Sequence, residues 1–196
     1  MELIRSELRA RGIALSEETC PTVLRCIHTS ADFDYAENLV FSPGVVPKIT
    51  EILSTQNPVI VTDTNMALSG ISSRACGALG VEKVCFMADE DVAGAAALSG
   101  LTRAACAVDK AAGLFQGRAV VFAVGNAPTA LVRMRQLFDA GIFRPAAVVG
   151  VPVGFVNVVR AKELIMESGL DFVVARGKKG GSSIAAAIVN SFLYQV

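Results

Sequence analysis

The feature that most constrains this chain is a rhythm that sets in at residue 57. Short β-branched, nearly continuous apolar runs recur at 58–62, 83–87, 119–124, 146–151 and 171–175. Strands buried on both faces read this way, whereas half-exposed strands alternate. Between the runs, apolar residues fall at helical spacing over 66–78, 91–113, 128–140, 157–168 and 182–194. Strand–helix alternation of this kind builds right-handed βαβ units. The expected fold is α/β: a doubly wound, mainly parallel sheet of about five strands in three α/β/α layers. No linker or composition shift interrupts residues 1–196, so a single domain is expected.

The first fifty residues are a helical lead-in. Residues 2–11 can form a short amphipathic helix with Leu3, Ile4 and Leu8 on one side. Ser16 reads as an N-cap with Glu17 and Glu18 in the first turn. Cys20, Val23, Leu24 and Ile27 then recur at helical spacing, which puts His28 near that helix's end. Residues 38–41 read as extended, Ser42-Pro43-Gly44 as a turn, and 45–53 as a helix.

Charge and cysteine usage narrow the function. Eighteen basic side chains balance eighteen acidic ones, so no global field would collect nucleic acid or an anionic membrane. An anionic ligand would have to be met by local groups. Although 53% of residues are hydrophobic, no stretch of about 18 apolar residues would span a bilayer. The charged start, Met1-Glu2-Leu3-Ile4-Arg5, is not a signal peptide. Five cysteines without a C-x-x-C pair argue for a reducing cytoplasm and against a zinc site. With one histidine, no site built on several imidazoles fits within one chain, and no metal site is expected.

Turn-forming and hydrogen-bonding residues gather where each strand should end. The runs are followed by Thr62-Asp63-Thr64-Asn65-Met66, Ala88-Asp89-Glu90-Asp91, Gly125-Asn126-Ala127-Pro128-Thr129, Pro152-Val153-Gly154-Phe155 and Arg176-Gly177-Lys178-Lys179-Gly180-Gly181-Ser182-Ser183. Open α/β sheets bind ligands at these carboxyl ends. The Gly125–Thr129 loop opens a helix whose N–H groups could meet a carboxylate or carbonyl. The loop from Arg176 to Ser183 would suit an anion, although a solvated lysine face is the plain alternative for Lys178 and Lys179. It has no Walker A spacing, and no G-x-G-x-x-G follows the first strand. Asp63 and Asn65 could orient polar ligand groups or cap the next helix. Thr102 could cap a helix in whose first turn Arg103 opposes the dipole, which an external carboxylate would justify.

His28 is the only histidine. A lone histidine is more often structural than chemical. This one ends an apolar helix and precedes a polar run holding Thr29, Ser30, Asp32 and Asp34, groups able to fix a tautomer or shift a pKa.

In order, His28-Thr29-Ser30-Ala31-Asp32-Phe33-Asp34-Tyr35, Phe41-Ser42-Pro43, Thr62-Asp63-Thr64-Asn65-Met66, Val124-Gly125-Asn126-Ala127-Pro128-Thr129-Ala130-Leu131, Gly150-Val151-Pro152-Val153-Gly154-Phe155 and Arg176-Gly177-Lys178-Lys179-Gly180-Gly181-Ser182 form a combined pattern. With it the chain resembles the precorrin-8X methylmutase family. Each motif is weak alone, and together they are specific.

The resemblance implies a flavodoxin-like sheet, a homodimer with sites near the subunit interface, and His28 as the catalytic residue. The implied reaction belongs to cobalamin biosynthesis. A methyl group moves from C-11 to C-12 of precorrin-8X or cobalt-precorrin-8, giving hydrogenobyrinate or its cobalt counterpart. The His-Thr-Ser-Ala-Asp wording looks like the cobalt branch, where the metal arrives within the substrate and no cofactor is needed. Implied substrate contacts are Thr29, Ser30 and Asp32 beside His28; Asp63, Asn65 and Met66; Arg103; and Asn126, Ala127, Pro128 and Thr129. They continue with Pro152, Val153, Gly154 and Phe155, then Arg176, Lys178, Gly180, Gly181 and Ser182. Two departures stand out: the chain starts later than the family commonly does, and Arg160 and Ala161 replace a more usual acidic residue and serine. The competing classes are a corrinoid-binding delivery protein without catalysis and a nucleotide-binding flavodoxin-like module, which flavin absorbance would reveal.

Overall fold

The computed structural model describes residues 1–55 and 57–196. The elements run α1 (Glu2–Ala10), α2 (Cys20–Ser30), α3 (Tyr35–Asn38), β1 (Leu39–Phe41), α4 (Val45–Ser54), β2 (Val59–Thr62), α5 (Asn65–Gly70), α6 (Ser73–Leu79) and β3 (Glu82–Val84). They continue with α7 (Glu90–Ser99), α8 (Arg103–Leu114), β4 (Val120–Val124), α9 (Pro128–Asp139), β5 (Ala147–Gly150), α10 (Val158–Met166), β6 (Phe172–Ala175) and α11 (Ser182–Leu193).

The sheet order is β1-β6-β5-β4-β2-β3, and every pairing is parallel except β1 with β6. Leaving β1 aside, this is the 2-1-3-4-5 order of a flavodoxin-like sheet, with its topological switch point between β2 and β4. The expected five parallel strands are all present. A sixth, β1, adds an antiparallel edge where an extended segment was expected. It registers Leu39 opposite Ala175, and its end is tied down by the Ser42 hydroxyl, which accepts from the Phe172 N–H at 2.9 Å.

Successive strand residues feed opposite cores, as period-two geometry requires. Ile60, Val121, Ala123, Val149 and Val173 pack with α2, α4, α5 and α11. Val59, Val61, Val120, Phe122, Val148 and Val174 pack with α8, α9 and α10. Both faces being covered, the central strands carry the continuous apolar runs seen in the sequence.

Several boundaries differ from expectation, each for a local reason. The helix expected over 66–78 is two, because Ile71 is extended and the Ser72 hydroxyl caps α6 by accepting from the Ala75 N–H. Lys83 donates to the Leu68 and Ile71 carbonyls that this break leaves open. The strand expected at 83–87 is β3, a short edge strand, and Cys85 to Met87 leave the sheet. The helix expected after Ser16 starts at Cys20, with Pro21 in its first turn where no N–H is needed. Ser16 instead caps the preceding turn, accepting from the Thr19 N–H at 3.2 Å. In α1, Leu8 is buried but Leu3 is 87% exposed, so the apolar side narrows to Leu8 and part of Ile4. As expected, Thr102 caps α8, its hydroxyl accepting from the Ala105 N–H.

Candidate active site

The loops after β2, β4, β5 and β6 are stitched into one crest at the carboxyl edge of the sheet. At the switch point the buried Asp63 carboxylate accepts three backbone N–H groups: Gly125 at 2.8 Å, Asn126 at 2.7 Å and Ala127 at 2.7 Å. Burial pushes the Asp63 carboxyl above its ordinary range, and the three donors oppose that rise. The amides of the β4 loop, just ahead of α9, thus meet a carboxylate, but it is the chain's own. This differs from an external ligand at those amides and from Asp63 as a ligand-orienting or α5-capping group. The cap of α5 is Thr64, which accepts from the Ala67 N–H and shares a 2.8 Å hydrogen bond with Ser182.

Three further backbone bonds close the crest. Val153 N–H donates to the Gly125 carbonyl, Gly154 N–H to that of Lys178, and Gly181 N–H to that of Val151. The approach is close enough to demand glycine. A Cβ on Gly180 would lie 2.0 Å from the Val151 carbonyl oxygen, and one on Gly125 would lie 2.6 Å from the Ser182 Cα.

His28 is exposed in the last turn of α2. Thr29, Ser30 and Asp32, expected to orient its ring or to contact the substrate, make their hydrogen bonds within the chain to groups other than the imidazole. Thr29 and Ser30 hydroxyls donate back to the Arg25 and Cys26 carbonyls, satisfying helix-end acceptors. Ser30 also accepts from the Asp32 N–H. Asp32 accepts from the Asp34 N–H and from the Lys179 ammonium, and Lys179 reaches Asp34 as well. That clasp ties the segment after His28 to the β6 loop. It spends Lys179, one of the cations expected to meet a ligand, on an internal ion pair.

The remaining basic groups are uncommitted. Among the described residues, Arg103 and Arg176 are exposed and make no ion pair. Lys178 lies over the Phe155 ring at 5.0 Å from its centroid. Phe155 is 84% exposed and Met66 71%, so both side chains are open to contact from outside the chain. Asn65 and Asn126 are also exposed.

On the α8–α10 side a groove of about 630 Å³ opens beside the crest. Leu101, Thr102, Pro128, Thr129, Val156 and Arg160 line it. Thr102 and Thr129 share a 2.8 Å hydrogen bond across its floor. The two unusual residues fall here: Ala161 is buried on the groove wall, and Arg160 stands at its rim, 3.5 Å from both Glu163 and Glu167.

The sequence profile of the precorrin-8X methylmutase family matches residues 1–195. This chain belongs to the precorrin-8X methylmutase family. It is 43% identical to the cobalt-precorrin-8 methylmutase of Salmonella typhimurium over 175 residues, covering 89% of this chain and 80% of the relative. It is 36% identical to the precorrin-8X methylmutase of Pseudomonas aeruginosa, covering 96% and 88%. The solved precorrin-8x methyl mutase of Thermus thermophilus superposes with a TM-score of 0.81 at 35% identity, covering 92% of this chain and 87% of that one. Membership makes the chain an isomerase, a methylmutase of cobalamin biosynthesis. No helix among the described residues is long and apolar enough to cross a membrane.

One buried cation was missed from the sequence. Lys162 on α10 is 1% exposed and donates to the Gly177 and Lys179 carbonyls, both at 2.8 Å. Burial pulls its ammonium down from 10.5 to about 8. The signal was present: Lys162 shares a helical stripe with Val158, Ala161 and Ile165, all buried, and a charge on such a stripe needs a partner.

Proposed function

We propose that this methylmutase converts cobalt-precorrin-8 by moving a methyl group between neighbouring ring carbons, with His28 as general acid. The cobalt form is favoured because the Salmonella relative, at 43% identity, carries that name. The observation that carries the reading is the crest: an exposed imidazole whose following segment, through Asp32 and Asp34, is clasped to strand-end loops that hold uncommitted cations and exposed apolar side chains.

The chemistry asks little of the protein in covalent terms. In a formal [1,5]-sigmatropic shift, the methyl carbon breaks one bond to the ring and makes another to the adjacent carbon. No atom leaves and no oxidant or reductant is consumed. The protein's work is to hold the macrocycle in its reactive shape and to keep a proton on the conjugated system. Imidazole, whose unperturbed pKa lies nearest neutrality, can give and recover that proton. Arg103, Arg176, Lys178 and the first turn of α11 after Gly181 face the substrate's carboxylates, where charge-assisted bonds are strongest. Phe155 and Met66 cover the apolar disc, with Val153, Gly154 and Pro152 shaping the turn beneath it. Asn126, Ala127, Pro128 and Thr129 supply the opposite lip, and Asn65 a polar contact.

A homodimer in the cytoplasm completes the reading. α2 packs on one face of the sheet and the groove opens on the other, so a second chain offers a direct way to bring a His28 to a groove. All five cysteines are thiols, in keeping with a reducing compartment.

Purified His28→Ala should fold, sediment as the wild-type dimer and lose about 10²–10⁴ of kcat, followed by the absorbance change on product formation. Turnover at the wild-type rate would remove His28 as the acid. Wild-type protein that binds the corrinoid and never converts it in a single turnover would favour the delivery protein instead.

A further inference from the structure

The β6–α11 loop is shaped by a charge beneath it. Lys162 draws the Gly177 and Lys179 carbonyls inward, and the carbonyl between them, that of Lys178, accepts from the Gly154 N–H at 3.1 Å. All peptide bonds of the loop are trans, and a trans peptide points its N–H opposite to its C=O. The amides of Lys178, Lys179 and Gly180 therefore face away from the core. None of the three finds an acceptor among the described residues, and those of Lys178 and Gly180 belong to the two peptides whose carbonyls Lys162 holds. Beside them stand the Lys178 ammonium and, across Phe155, the open crest.

We propose that Lys162 is a positioning residue for substrate binding: by fixing the carbonyls inward it presents the Lys178 and Gly180 amides, with the Lys178 ammonium, to one carboxylate of the corrinoid. This rests on the methylmutase reading. Lys162 itself lies under the loop and does not reach the ligand. A neutral apolar side chain of similar length would leave the two inward-turned carbonyls without their donor and let those peptides turn over. The amide donors would then point into the protein.

A lysine that merely plugged the core would affect folding and leave the affinity of folded enzyme alone. The test is steady-state conversion of cobalt-precorrin-8 by wild-type protein and Lys162→Met, with circular dichroism to establish that the variant folds. The expected result is a KM raised by about tenfold, with the larger share of the loss in KM rather than kcat. A KM within about threefold of wild type in folded Lys162→Met overturns the proposal. The second measurement needs no variant. In a backbone-amide NMR titration of wild-type protein with the cobyrinate product, the Lys178 and Gly180 resonances should move downfield as they gain a carboxylate acceptor. Stationary resonances at saturating product overturn the proposal even when the enzyme turns over normally. A wild-type protein that neither binds nor converts the corrinoid removes the parent reading instead.

Discussion

At the scale of single residues, the site is decided by which polar groups the fold has already spent. Asp63 shows this most sharply. Its two carboxylate oxygens take all three amides that open the β4 loop, so it shapes the pocket from behind. Asp63→Asn keeps the size but turns one acceptor oxygen into an N–H₂ group facing an amide donor. It should cost roughly 1–3 kcal/mol, read as a lower denaturant midpoint at unchanged m-value. Wild-type stability would mean the loop amides find water as readily as the carboxylate. The place of His28 at the exposed end of α2 was legible in the sequence, because an apolar helical pattern stops there. The partner of Asp63 was not, because the contact joins residues more than sixty apart and leaves no local pattern. Lys162 lay between the two, visible as a charge on a buried stripe although its acceptors were not.

At the scale of elements, the clasp between the segment after α2 and the β6 loop links the neighbourhood of His28 to the crest. Lys179 bridges Asp32 and Asp34 at the surface, 47% exposed. The Lys179 ammonium, through its hydrogen bond, holds the Asp32 carboxyl below its ordinary 3.8. With its folded value depressed, Asp32 contributes stability in full above that ordinary range. The contribution is lost only as pH falls through the lowered value. Exposed pairs add little to global stability. Lys179→Ala should therefore move Tm by less than about 3 °C, while kcat falls because the segment after His28 is no longer anchored. A large Tm loss with unchanged kcat would make the clasp a folding device. Elements themselves were readable where burial was two-sided, as in β2, β4, β5 and β6. They were misread where a side chain from elsewhere intervened. The break between α5 and α6 depends on Lys83, and on Asn190, whose side chain accepts from the Ser72 N–H. The edge strand β1 is only three residues long and owes its place to β6.

At the scale of the whole molecule, a flavodoxin-like order puts the switch point between β2 and β4, and the site grows there because adjacent loops diverge to opposite faces. In this chain the divergence is partly closed again, since the β4 loop packs directly on the start of α11. Alternation in the sequence was enough to place every loop at the same edge. It could not show that the loops interlock, which depends on atoms in contact across the crest. The interlock makes a paired prediction. Gly125→Ala places a methyl 2.6 Å from the Ser182 Cα, backbone against backbone, and neither strand β4 nor helix α11 can yield alone. It should cost about 1–3 kcal/mol and weaken product binding, because Ser182 and the β6 loop shift together. Gly77→Ala, in the exposed face of α6 with nothing within 4 Å, is the matched control. It should gain about 0.5–1 kcal/mol by removing a flexible residue from a helix interior and leave binding untouched. Equal effects of the two on binding would show that the crest tolerates separation, and that substrate is held by exposed side chains rather than by the way the loops are locked together.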